Sequence, residues 1–183
     1  MTTPLTAGPD ERPAGPVVGV DLGGTKIAAA LVDADGALLG PVSRTPTPAR
    51  EGPRAVLDAV ASLVTGVVEA GARTGPGAVG IGSAGVIDAE RGVVVSATDA
   101  ITGWPGTDIA GGVAGRLLAA GAAPRDVLVH VDNDVNAYAA GEAWIGAGAG
   151  AASLLMVAVG TGVGGAVVLD GRVHHGARFL AGE

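Results

Sequence analysis

The chain has no cysteine, so neither a disulfide nor a thiolate metal site can form within its 183 residues. Three scattered histidines are too few for an ordinary transition-metal centre. Positive charge is scarce: 11 Lys and Arg against 18 Asp and Glu give a net charge of −7. That is the opposite of the basic surface that nucleic-acid binding needs, and no nucleic-acid partner is expected. Aromatic residues are nearly absent, with Trp104, Tyr138, Trp144 and Phe179 the only ones, which leaves small aliphatic side chains to build the core. No apolar run approaches the roughly 18 uncharged residues of a membrane span, and no basic segment precedes an apolar one at the N-terminus. The expectation is a cytoplasmic chain with no membrane partner. Residues 1–16, with Pro4, Pro9, Pro13 and Pro16 and almost no large apolar side chain, read as a disordered leader too short for a helix-turn-helix.

Glycine is plentiful, at 33 residues, and 48% of the chain is hydrophobic, enough for a packed core. The stretch that organises the rest is VVGVDLGGTKIAAALVDADGALL, Val17 to Leu39. Two apolar runs meet at Gly23-Gly24-Thr25 and read as strands joined by a glycine turn. Backbone N–H groups of such a turn converge, and the Thr25 hydroxyl adds a further donor, a combination that can cradle a phosphate. Asp21 points a carboxylate at the same mouth. Beside a phosphate it would repel the ligand unless a cation lay between, so Asp21 is read as holding Mg²⁺ through water. Lys26, the only lysine of the chain, sits where its charge can meet phosphate oxygens. From this turn alone, an ordinary hairpin with a capping Asp and a solvated Lys fits as well.

A second copy changes the balance. Leu154 to Val173, LLMVAVGTGVGGAVVLDGRV, repeats the strand, the glycine turn with a threonine (Thr161, Gly162), the second strand and an Asp-Gly pair, Asp170-Gly171 matching Asp35-Gly36. Two phosphate-type hairpins imply a duplicated domain, and two turns facing across a cleft suit nucleotide-dependent phosphoryl transfer.

Between the copies the pattern alternates strand and helix. Residues 37–44 are expected as a third strand and 45–53 as a proline-rich connection. A helix should start at Pro53 and run through Val56, Leu57, Val60, Leu63, Val64, Val67 and Val68 to Gly71. Residues 78–81 read as a buried strand emptying into Gly82-Ser83-Ala84-Gly85, a loop at a strand's C-terminal end, where ligands of α/β sheets bind. Residues 93–97 follow as a strand. Residues 108–120 read as a helix that Gly111, Gly112 and Gly115 each weaken by about 1 kcal/mol. Residues 127–131 form the last strand of this half, with His130 expected as a packed strand residue. His174 and His175 are expected at the surface.

Asp132-Asn133-Asp134-Val135-Asn136 opens a helix through Trp144 and is more polar than a cap requires. The helix dipole favours a charged carboxylate, so Asp134 is expected to be ionised at neutral pH. An ionised Asp there can accept the proton of a hydroxyl attacking phosphorus, with Asn133 orienting the same substrate.

DLGGTK (Asp21 to Lys26), IGSAG (Ile81 to Gly85), DNDVNAYAAGE (Asp132 to Glu142), GTGVGG (Gly160 to Gly165) and AGE (Ala181 to Glu183) together resemble the ROK family of sugar kinases and sugar-responsive repressors. The resemblance implies an α/β, actin-like (RNase H-like) fold of two lobes with ATP and a hexose between them, ATP and Mg²⁺ as cofactors, and a homodimer for the full-length protein. It implies Asp134 as catalytic base, Asn133, Glu183, Gly85 and Asp99 at the hexose, Gly23, Gly24, Thr25 and Lys26 at one phosphate site, and Thr161 with Gly162 at the other. Residues 17–146 would form the first lobe and 147–183 the beginning of the second. The segment Thr98 to Trp104 departs from the family pattern, with no Asn shortly before Gly103-Trp104, which bears on sugar identity. The chain stops at Glu183, where family members continue into a Gly-His pair, usually a zinc site, and the rest of the second lobe. Phosphorylation of a hexose hydroxyl is the leading expectation, and a sugar-binding regulatory protein of the same family the alternative.

Overall fold

The computed structural model describes residues 15–71, 75–160 and 163–182. Its framework is a five-stranded sheet built from β1 (Val17–Leu22), β2 (Lys26–Val32), β3 (Ser43–Pro46), β4 (Ala78–Ser83) and β7 (Leu128–Asn133), in the order β3-β2-β1-β4-β7. The three strands β3, β2 and β1 are antiparallel neighbours, while β1, β4 and β7 run parallel. A parallel pair needs a long crossover. Helix α1 (Pro53–Gly71) lies in the β3-to-β4 connection. A hairpin of β5 (Val86–Asp88) and β6 (Val93–Ser96), then α2 (Ile109–Ala119), lie between β4 and β7.

Alternation along the strands divides the sheet into two faces. Val18, Val20 and Leu22 of β1, Ile27, Ala29 and Leu31 of β2, Val79 and Ile81 of β4 and Val131 of β7 are buried on one face. They pack against Val56, Leu57, Val60, Val64, Val67 and Val68 of α1 and Ile109, Val113 and Leu117 of α2. The apolar stripe expected for α1 is therefore buried, apart from Leu63, which packs at its margin only partly buried, and its expected limits, Pro53 and Gly71, are those observed. In α2 two of the glycines marked as weaknesses have a use. A Cβ on Gly112 would lie 2.7 Å from Leu57 Cδ1, and one on Gly111 would collide with the capping Asp108 carboxylate, whose Oδ1 accepts from the Gly111 N–H at 2.8 Å.

The opposite face carries Gly19 and Asp21, Ala28 and Ala30, Gly80 and Gly82, and His130 and Asp132. Helix α3 (Asp134–Trp144) covers its β4–β7 side and then meets a second, three-stranded sheet of β10 (Arg172–Val173), β9 (Val163–Leu169) and β8 (Ser153–Val159), antiparallel throughout. Ala139 of α3 is buried with Ala166, Val168 and Val173 in a small separate core. Asp170 and Gly171 take φ of 50° and 72°, the left-handed pair of a tight hairpin turn between β9 and β10.

Three expectations are corrected. The third strand begins at Ser43 rather than at residue 37: the Asp33 carboxylate binds the N–H groups of Asp35 and Ala37, pairing with the end of β2 is limited to an isolated bridge between Leu38 and Val32, closed by Asp33 N–H donating to Ala37 O at 3.0 Å and Leu39 N–H to Leu31 O at 2.8 Å, and Pro41 cannot donate to a ladder. Gly82 and Ser83 belong to β4, since pairing with β1 and β7 continues through them, and the loop proper starts at Ala84. His130 is exposed, because β7 is the sheet edge and α3 stops short of it.

Candidate active site

The β1–β2 turn is closed by Gly23 N–H donating to Lys26 O at 3.1 Å. It is held from β3's side by Thr47, whose N–H donates to Thr25 O at 3.0 Å and whose hydroxyl donates to Gly23 O at 2.7 Å. Thr25 and Lys26 are exposed at its tip. Gly24 is where a second loop approaches: an added Cβ would sit 3.0 Å from Ala100 Cβ, so glycine lets the segment that holds Asp99 lie close against this turn. Asp99 itself is exposed.

Asp21 is paired with Ala28 on one side and Gly82 on the other, so no bulky neighbour screens its carboxylate. It opens into a cleft of about 270 Å³ whose lining also includes Gly82, Asp134, Ala137 and Tyr138. Asp134 begins α3, directly above Gly82: a Cβ on that glycine would lie 3.4 Å from Asp134 Cα and 3.2 Å from Ala137 Cβ. The two carboxylates singled out in the sequence thus share one cleft although 113 positions separate them (134 − 21).

The helix start is fixed by Asn133. Its side-chain oxygen accepts from Val135 N–H at 2.9 Å and Asn136 N–H at 3.1 Å, and its Nδ2 donates to Gly85 O at 3.0 Å. Gly85 takes φ of +103°, and a Cβ there would meet Ser96 O at 2.8 Å, so glycine is required by the backbone. Asn133 is therefore a cap and a tie to the β4–β5 loop at once.

The surroundings of Asp134 are less favourable to its charge than the helix start alone suggests. Burial raises its pKa, a Val135 N–H bond at 2.9 Å opposes that, and the charge of Asp21 adds to the rise. The helix-terminus effect is outweighed by desolvation and a like charge, neither of which is visible in a linear sequence. Tyr138 was not expected at the site. It stands four residues after Asp134 on the same helix face, and its hydroxyl pKa is raised by Asp21, then by burial, then by Asp134. Its i+4 spacing from Asp134 was the available signal.

His175 is also corrected. It is not a surface residue: its side chain is 23% exposed, and Nε2 donates to Asp132 Oδ2 at 2.8 Å. The Asp132 bond, set against burial, raises the imidazole pKa, with Glu90 adding to the rise. His174 is exposed as expected. Thr161, Gly162 and Glu183 lie outside the described residues, as do residues 1–14 of the expected leader. Among the described residues no group of three or more His, Cys, Asp or Glu is arranged to hold a metal, and no helix is long and apolar enough to cross a membrane.

Comparison with known proteins identifies the family. A model of the ROK family matches residues 17–183. A glucokinase of Streptomyces coelicolor is 36% identical over 171 residues, covering 92% of this chain and 48% of the relative. An N-acetyl-D-glucosamine kinase of Escherichia coli is 37% identical over 166 residues, 90% of this chain and 50% of the relative. The crystal structure of a ROK family glucokinase from Streptomyces griseus in complex with glucose and AMPPNP superposes with a TM-score of 0.78 at 34% identity, over 92% of this chain and 49% of that one. The chain spans about half the length of the curated relatives it matches. By sequence over residues 17–183 and by its actin-like ATPase fold, the chain belongs to the ROK family.

Proposed function

We propose that this chain carries the hexose side and the first phosphate turn of a kinase that transfers the γ-phosphoryl group of ATP to a hexose hydroxyl. The observation that carries the reading is the placement of Asp134 beside Asp21 in one cleft. In the transfer, the hexose oxygen forms a bond to the γ-phosphorus, the bond from that phosphorus to the β–γ bridging oxygen breaks, and ADP leaves with the electron pair. Asp134 accepts the hydroxyl proton. A carboxylate whose pKa is raised by burial is a better proton acceptor than a solvated one, provided that it is still ionised at working pH.

Asn133, Gly85 and Asp99, with Glu183, are the proposed hexose residues. Asn133 in addition fixes the helix start from which Asp134 projects. Gly24, Thr25 and Lys26 are the proposed donors to phosphate, Gly23 closing the turn with its own N–H, and Thr161 with Gly162 are the proposed second site. A divalent cation fits Asp21: two acidic side chains face one cleft, and neither belongs to the ion pairs found among the described residues. Mg²⁺ bound there would neutralise phosphate charge. The relatives named glucokinase and N-acetyl-D-glucosamine kinase support a hexose acceptor without choosing between the two.

The test is a coupled ADP-release assay with Mg-ATP and glucose, N-acetylglucosamine, mannose or fructose, paired with calorimetric titration of each sugar. We expect turnover with at least one hexose and a loss of about 10²–10⁴-fold in kcat for Asp134→Asn. Hexose binding without turnover would overturn the kinase reading for this chain and favour the regulatory one.

A further inference from the structure

We propose that Asp132 and His175 form a positioning pair, through which the first sheet sets the place of the loop 175–182 beside the proposed catalytic helix. The functional consequence rests on the hexose-kinase reading above. Asp132 is a hub: Oδ1 accepts from Asn133 N–H at 2.7 Å and from Asn136 Nδ2 at 3.0 Å, and Oδ2 accepts from His175 Nε2 at 2.8 Å. One carboxylate, only 8% exposed, therefore joins the end of β7, the first turn of α3 and the segment that leaves β10. Asp134 lies two positions beyond it.

The loop that starts at His175 is pinned elsewhere by backbone bonds. Ala181 N–H donates to His175 O at 3.1 Å, and Gly165 N–H donates to Gly182 O at 2.7 Å. At Gly182, with φ of +101°, an added Cβ would collide with the Gly165 carbonyl, so the loop end is seated tightly on β9. His175 is the side chain that ties this seated loop to the first sheet. Because Glu183 is next in the chain, whatever sets the loop also sets the backbone from which that proposed hexose ligand departs.

The charged groups acting on His175 are Asp132 from β7 and Glu90 from the β5–β6 turn, while α3 presents the neutral Asn136. Both acids favour imidazolium, and burial opposes it. The contact is strongest with His175 protonated: its full contribution holds below the unfolded imidazole pKa and is lost as pH rises through the higher folded value. A neutral imidazole can still donate through Nε2, so the bond weakens rather than disappears.

The test is amide hydrogen exchange by NMR on the 183-residue chain from pH 5.5 to 8.5, with glucose and N-acetylglucosamine titrations on the same samples. In His175→Ala, exchange protection at Ala181 and Gly165 should fall about tenfold. His175→Gln places an amide donor where Nε2 stood and does not titrate, so it should restore protection and abolish its pH dependence. Hexose affinity should fall about tenfold in His175→Ala and recover in His175→Gln. Protection that does not change in His175→Ala overturns the pair, as does lost protection with unaltered hexose affinity. Failure of the unsubstituted chain to bind any hexose would overturn the kinase reading instead, and the exchange data would still decide whether the pair positions the loop.

Discussion

Asp134 is costly to keep. Its folded pKa is raised, so the charged form is penalised at every pH above that value, whereas below the unfolded value both states are protonated and the group contributes nothing. Asp134→Asn keeps the acceptor for Val135 N–H and removes the charge. It should raise Tm at neutral pH, and thermal melts should show the gain shrinking to nothing as the solution is acidified. The same shift should move the acid limb of kcat/KM to higher pH than an unperturbed Asp134 would give. Asp21→Asn, by removing a like charge, should move that limb to lower pH, although the larger contribution, burial, would remain. A limb unmoved by Asp21→Asn would show that the two carboxylates do not interact. Asp21 and Asp134 could be picked out from sequence because each is an acid at a strand end or helix start where local structure needs none. The upward shift of the Asp134 pKa could not, since burial and the Asp21 charge arise only when β1 and α3 are brought together. His175 was misread for a related reason, its partner lying 43 positions away.

At the level of elements, strands and helices whose signals are local were readable: α1 by its three- and four-residue apolar steps between Pro53 and Gly71, and α3 by its cap. β3 was misplaced because its pairing partner, not its own composition, decides where it begins, and an edge strand tolerates the terminal Pro46 that argued against it. The seat of α3 on β4 was also unreadable, although Gly82 makes it possible. Gly82→Val would drive a branched side chain against Ala137 and the Asp134 backbone. We expect a stability loss of about 1–3 kcal/mol by denaturant titration. Displacing Asp134 should cost more in function: kcat/KM should fall by about 10² or more. A variant that loses stability but keeps kcat/KM would show that Asp134 is not positioned by this contact.

At the scale of the whole molecule, the described residues form two unequal cores. The first draws on β1, β2, β4, β7, α1 and α2; the second buries little beyond Ala139, Ala166, Val168 and Val173. On the second sheet Leu155, Val157, Val159 and Val163 are exposed. Local stability follows buried apolar contact, so amides of β8 and β9 should show about ten- to a hundredfold less exchange protection than those of β1 and β4. Equal protection across both sheets would mean that α3 couples them into one cooperative unit. The glycine turn and Asp-Gly pair recur in the sequence, but the inequality of the two sheets was not readable there, because it depends on how many helices each sheet receives.

The strand order also sets a timetable. β1 lies at the middle of its sheet, and the other strands are made at different moments: its neighbour β2 within a few residues, its other neighbour β4 after α1, and β7, which pairs with β4, only after roughly 100 further residues, about 5–20 s at ordinary rates of synthesis. Until then the parallel side of the nascent sheet is an open ladder of apolar residues, able to pair with any extended chain nearby. Helix α3, which carries Asp134, cannot dock before β7 exists. The candidate active site is thus among the last parts of the first sheet's surroundings to be assembled, and a ribosome-bound chain released short of Asn133 would present the strand scaffold without the acid it is built to display.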